Sequence, residues 1–145
     1  MRLACTLCLM ISLSSIGSLA NAKDSGVAAN PPTPEYSCSG IVTSGSNTFH
    51  DQLVLKPISN DNAKITGLSG AASTFEGTQP YRICINTDDQ MTLEYTPVGQ
   101  SCGSRDASRF GTLQKTAGTL KLSRIDQDVA VSGVYACHPI RRAGK

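Results

Sequence analysis

From Tyr36 onward, apolar and polar residues alternate with period two. Met91, Leu93 and Tyr95 alternate with Thr92, Glu94 and Thr96. Tyr81, Ile83 and Ile85 alternate with Arg82, Cys84 and Asn86. Leu120 and Leu122, Val129 and Val131, and more loosely Leu53 and Leu55, follow the same rule. Side chains in a strand point to opposite faces in turn, so such runs predict strands with one face buried. No window carries a sustained three-four apolar stripe, so long helices are not expected. The predicted strands are Tyr36–Thr43, Gln52–Lys56, Lys64–Leu68, Ala72–Glu76, Tyr81–Asn86, Met91–Thr96, Arg109–Lys115, Thr119–Arg124 and Asp128–Cys137. Turn-forming clusters separate them: Ser59-Asn60-Asp61-Asn62, Asn86-Thr87-Asp88-Asp89, Lys115-Thr116-Ala117-Gly118 and Ile125-Asp126-Gln127-Asp128. Ser132-Gly133 falls inside the last apolar run and predicts a bulge, after which the inward face passes to Val134 and Ala136 or to Tyr135.

About eight short antiparallel strands must dispose of their edges. The fold class expected is therefore all-β, as a small antiparallel up-and-down barrel or a two-sheet sandwich. This β domain is placed at 36–140. The 13 residues before it, Lys23 to Glu35, contain Pro31, Pro32 and Pro34 and almost nothing to bury, which reads as a disordered lead. Residues 141–145 form a short basic tail.

The N-terminus changes the picture. Arg2, an uncharged apolar and small-residue stretch from Leu3 to Leu19, and Ala20-Asn21-Ala22 have the three parts of a secretory signal peptide, with cleavage expected after Ala22. The serine-broken stretch is short for a membrane span, which needs about 20 apolar residues, and no later segment is expected to cross a bilayer. Loss of Arg2 lowers the net charge of +2 by one, which gives no general steering toward nucleic acid. The expected destination is the periplasm or the medium.

Four cysteines remain after cleavage: Cys38, Cys84, Cys102 and Cys137. An even count in an exported domain predicts two disulfides. Of the three pairings, Cys38–Cys137 with Cys84–Cys102 is favoured, because the first would tie the first strand to the last. That tie also favours a barrel over a sandwich. No Cys-x-x-Cys pair suggests a zinc site.

Candidate chemistry is sparse. His50 adjoins Asp51, but strand neighbours point apart, and the preceding Gly45-Ser46-Asn47-Thr48 places His50 in a surface loop. His138 lacks a second histidine near it in sequence. Asp88-Asp89 and Asp126-x-Asp128 sit in turns, where aspartate has a local reason. Glu35, Glu76 and Glu94 show no readable pairing. There is no Gly-x-Ser-x-Gly, no phosphate loop and no dinucleotide fingerprint, so neither an enzyme nor a cofactor is expected. Two segments suit binding. Ser69-Gly70-Ala71-Ala72-Ser73-Thr74 reads as a projecting loop or a flat edge strand. Arg141, Arg142 and Lys145 form a basic end suited to an anionic partner.

Tyr36-Ser37-Cys38-Ser39-Gly40, with Tyr135-Ala136-Cys137-His138-Pro139 and Arg141-Arg142, resembles a set of small exported proteobacterial proteins with an early C-x-G strand and a late C-x-P-x-x-R tail. Tyr36-Ser37-Cys38 and Ser69-Gly70 are also similar to the periplasmic inhibitors of C-type lysozyme, small barrels with a Ser-Gly inhibitory loop. Ala72, Ser73 and Thr74 stand where that family closes the loop with tyrosine. The expected function is thus an exported, non-enzymatic β module that binds a protein partner, with inhibition of a cell-wall hydrolase as one version. The alternative is a lipocalin-like carrier of a small apolar ligand.

Overall fold

The structure is a computed structural model that describes residues 33–140. The expected signal peptide, most of the proline-rich lead and the Arg141, Arg142 and Lys145 tail lie outside the described residues. Eight antiparallel strands close into an up-and-down barrel: β1 (Glu35–Ser44), β2 (Asn47–Pro57), β3 (Asn62–Gly67), β4 (Tyr81–Asn86), β5 (Gln90–Tyr95), β6 (Arg109–Gln114), β7 (Thr119–Asp126) and β8 (Val129–Ile140). Closure is made by β1 pairing with β8 from Glu35↔Ile140 to Ser44↔Val131. Cys38 and Cys137 face each other in that ladder and are joined by a disulfide. Cys84 and Cys102 form the second one. The favoured pairing and the barrel are both found.

Turn chemistry sets the hairpins. Gln127 and Asp128 both hold positive φ, at 46° and 68°, which the two-residue turn between β7 and β8 demands. The loops expected around 59–62, 86–89 and 115–118 all join neighbouring strands.

The inward face is filled by side chains. Leu53, Leu55, Ile65, Phe75, Tyr81, Met91, Leu93, Leu113, Leu120 and Tyr135 are almost fully buried in one cluster. An eight-stranded barrel is just wide enough for such packing.

Several expectations are corrected. Ala72–Glu76 is no strand, because its backbone is held by side chains rather than by a neighbouring strand, as described below. The bulge is not at Ser132-Gly133, where β8 keeps register with both neighbours. Instead Gly133 stays inward, and a Cβ there would come within 2.6–2.9 Å of Tyr135 and Phe75. The irregularity lies between Ile83 and Ile85 in the β4–β5 ladder. It turns Ile85 outward, 46% exposed, so the expected inward run of Tyr81, Ile83 and Ile85 ends at Ile83. His50 is in β2 rather than a loop, exposed on the outer face. Glu35 belongs to β1 rather than to the lead, and β8 runs past Cys137 to Ile140. Pro139 is tolerated there. The Cys137 N–H points to Gly118 on the β7 side. Two residues on, the Pro139 nitrogen faces that same side, beyond the last β7 partner at Ala136.

Candidate functional site at the covered end of the barrel

One end of the barrel is crossed by the connection between β3 and β4. These strands share only Asn62↔Arg82 and Ala63↔Tyr81, so the chain leaves β3 at Gly67 and takes 13 residues to return. Its hydrogen bonds reach inward-facing side chains from most of the strands around it. Asp51 on β2 accepts from the Ser73 hydroxyl at 2.9 Å and the Thr74 N–H at 3.1 Å. Tyr81 on β4 donates to the Phe75 carbonyl at 2.6 Å. Arg109 on β6 donates to the Glu76 carbonyl at 2.7 Å, and Arg124 on β7 donates to that of Thr74, also at 2.7 Å. The Tyr95 hydroxyl on β5 meets the Thr78 hydroxyl at 2.9 Å. A segment held from β2, β4, β5, β6 and β7 of a closed barrel must span its mouth. Phe75 points down from it and is fully buried, edge-on to Tyr135.

The polar ring that holds this lid follows from strand period. Asp51 is in phase with inward Leu53 and Leu55, Arg124 with Leu120 and Leu122, and Tyr95 with Met91 and Leu93. Tyr135 reaches Asp51 at 2.8 Å although Gly40 of β1 stands between them in the ladder. Gly40 makes this possible, since a Cβ there would lie 2.8 Å from the Tyr135 ring. Burial first, and then the Asp51 carboxylate that the phenol faces, push the Tyr135 hydroxyl far above the usual phenol range. Burial likewise raises Tyr81. Tyr95 moves the other way: burial raises it, but hydrogen bonds from Thr78 and Gln79 and the Arg109 charge 4.6 Å from its ring outweigh that.

The expected binding segment divides in two. Ser73 is buried and Thr74 half-buried, both held by Asp51, while Ser69, Gly70, Ala71 and Ala72 are exposed. Leu68–Gly70 makes one 3-10 turn, in which Ser69 (φ 58°) and Gly70 (φ 81°) are both left-handed. Glu76 clamps its two ends: one carboxylate oxygen accepts from the Gly67 N–H at 3.1 Å and the Ser73 N–H at 3.3 Å. The neck is narrow, since a Cβ on Gly67 would lie 1.4 Å from the Ala71 carbonyl oxygen. The five-residue turn therefore stands out from the lid on a fixed base. Sequence reasoning found the turn but missed Asp51, Glu76, Arg109 and Arg124. A signal for three of them was present: charged residues in step with an apolar strand face.

Beyond the lid, two hairpins rise on the same end. Phe49 is two residues past Asp51 on the inward side of β2, and Val129 is two past Val131 on β8. With the lid below them, they are 42% and 43% exposed.

No family model, curated protein or solved structure matches this chain.

The remaining candidates are not brought together. His50 lies on the outer barrel face, and His138 lies toward the other end of the barrel. Cys84, Glu94 and Cys102 cluster within 4.8 Å, but the two sulfurs are spent on each other in the disulfide. Among the described residues, no helix is long and apolar enough to cross a membrane.

Proposed function

We propose that the covered end of this barrel is a recognition surface for a protein partner, with the Leu68–Ala72 turn as its projecting element. The observation that carries this reading is the Glu76 clamp, which holds both ends of an exposed turn with two left-handed residues. Left-handed backbone at a non-glycine residue costs about 1–3 kcal/mol and persists only where surroundings enforce it. A loop fixed before binding loses less entropy on docking. Phe49 and Val129, exposed on the same end of the barrel, supply apolar surface of the kind that interfaces bury. The tightly filled interior favours recognition on the outside over a ligand carried within.

The setting we assign is the periplasm or the extracellular medium, in keeping with two disulfides. The partner class placed first is a cell-wall hydrolase, into whose cleft the turn would insert. Purified protein added to a panel of lysozymes should suppress lysis at micromolar concentration, and Ser69→Asp should relieve the suppression. Undiminished lysis across the panel would remove the hydrolase version. A pull-down from the cell envelope that captured equal partners with wild type and with a turn shortened by Ser69 and Gly70 would remove the turn.

A further inference from the structure

The outer face of β5 carries Thr92 and Glu94, in alternation with inward Met91 and Leu93. Across the ladder, Cys84 sits at the irregularity between Ile83 and Ile85, where no β5 residue stands opposite it. The β5–β6 loop brings Cys102 to this face, and more than the disulfide holds it there. The Gly103 N–H donates to one Glu94 carboxylate oxygen at 2.7 Å, and the Ser108 N–H to the Tyr95 carbonyl at 3.0 Å. Within the loop, the Gln100 amide donates to the Asp106 carboxylate at 2.8 Å, and the Asp106 N–H to the Ser104 hydroxyl at 3.2 Å. The ligand atoms of Cys84, Glu94 and Cys102 all lie within 4.8 Å of one another. The Thr92 hydroxyl, two residues from Glu94 on the same face, is buried without a partner.

We propose that the Cys84–Cys102 bond is the oxidised form of a zinc site whose ligands are Cys84, Cys102 and Glu94. A dithiol supplies the two electrons and two protons that open it. One thiolate of the dithiol attacks the sulfur of exposed Cys102, and half-buried Cys84 leaves as the thiolate. The second sulfur of the dithiol then releases Cys102 and closes a cyclic disulfide. Zinc displaces the two thiol protons and binds both sulfurs at about 2.3 Å and a carboxylate oxygen at about 2.0–2.2 Å, with water in the fourth place. Such a tetrahedron sets its sulfurs about 3.8 Å apart, within the span that the three ligands already occupy. Thiolates exclude calcium and magnesium. The loop's own hydrogen bonds keep Cys102 beside Cys84 once the bond opens, so the ion meets an assembled site. A thiolate or the bound water offers the Thr92 hydroxyl an acceptor on its own face. The metal takes over the task of pinning the loop. The site does not use the Ser69 turn, so it stands or falls separately from the partner reading.

The test is a cobalt titration of the full mature protein after a limiting dithiol has opened Cys84–Cys102 and been removed under argon. Mass spectrometry of an alkylated aliquot confirms which two thiols are free. Uptake of one equivalent is expected, with a thiolate-to-cobalt charge-transfer band that zinc abolishes, and none in the oxidised protein. Zinc should also return amide exchange in residues 96–108 to the oxidised level. Glu94→Gln keeps an acceptor for the Gly103 N–H but removes a ligand, and should weaken cobalt binding by about tenfold or more. Cys102→Ser should weaken it further. No uptake by protein with both thiols free, a spectrum lacking the thiolate band, or equal affinity in Glu94→Gln and wild type would overturn the site.

Discussion

Asp51 is the residue on which the lid depends most. It is 7% exposed and accepts three hydrogen bonds, from Ser73, Thr74 and Tyr135. Asp51→Ala would strand three donors, each worth about 1–3 kcal/mol when left unmet beside a lost charge. We expect Asp51→Ala to cost at least twice what Tyr135→Phe does, which should itself be about 1–2 kcal/mol by urea unfolding. Equal costs would mean that Asp51 acts only through the tyrosine. The same pair sets an alkaline limit. Tyr135, Tyr81 and Tyr36 all have folded-state phenols raised above the ordinary value of 10.0, in each case chiefly by burial. The folded protein therefore keeps protons that the unfolded chain releases. Stability is full below about pH 10 and falls above it, because the unfolded chain gives up these phenol protons before the folded one does. The lowered Tyr95 opposes this in part, since the folded chain gives up that proton first. Urea midpoints between pH 8 and 11 should show the fall, and Tyr135→Phe should flatten it.

At the scale of elements, the lid and its turn should separate experimentally. Phe75 is the lid's only fully buried apolar side chain. Phe75→Ala should cost about 3–5 kcal/mol and open residues 68–80 to protease before the barrel is cut. Glu76→Gln is a milder change. It keeps an acceptor but removes the charge that both the Gly67 and Ser73 N–H groups share. It should lower stability by about 1 kcal/mol while loosening the turn, visible as faster amide exchange confined to residues 67–73. Uniform change through the barrel would mean that the clamp supports the fold rather than the turn.

At the scale of the whole molecule, the two disulfides do different work. Cys38–Cys137 spans 99 residues, ties the strands whose pairing closes the barrel, and is 1% and 6% exposed at its ends. Cys84–Cys102 spans 18 residues and pins the β5–β6 loop from an exposed position. The chain-entropy model makes the long loop worth about 4.7 kcal/mol and the short one about 3 kcal/mol. A limiting dithiol should open Cys84–Cys102 first, because exchange needs access to sulfur. Mass spectrometry of the alkylated intermediate would identify the bond. First opening of Cys38–Cys137 would contradict the closed barrel.

Alternation of apolar and polar residues determined the strands and their inward faces, since a pleated backbone turns every second side chain the same way. Turn-forming clusters marked four of the connections, of which the 115–118 and 125–128 turns hold positive φ, and two thiols near the chain ends foretold closure. Alternation did not decide what Ala72–Glu76 does. A short segment with mixed side chains is a strand only where a neighbour offers a ladder, and here Asp51, Arg109 and Arg124 offer side-chain partners instead. The bulge beside Cys84 and the absence of one at Gly133 were also decided by packing, by a register shift in one place and two aromatic rings needing room in the other. The candidate site was half legible for the same reason. The turn announces itself by local composition, whereas the ring that holds it joins residues up to 84 positions apart that only barrel closure makes neighbours.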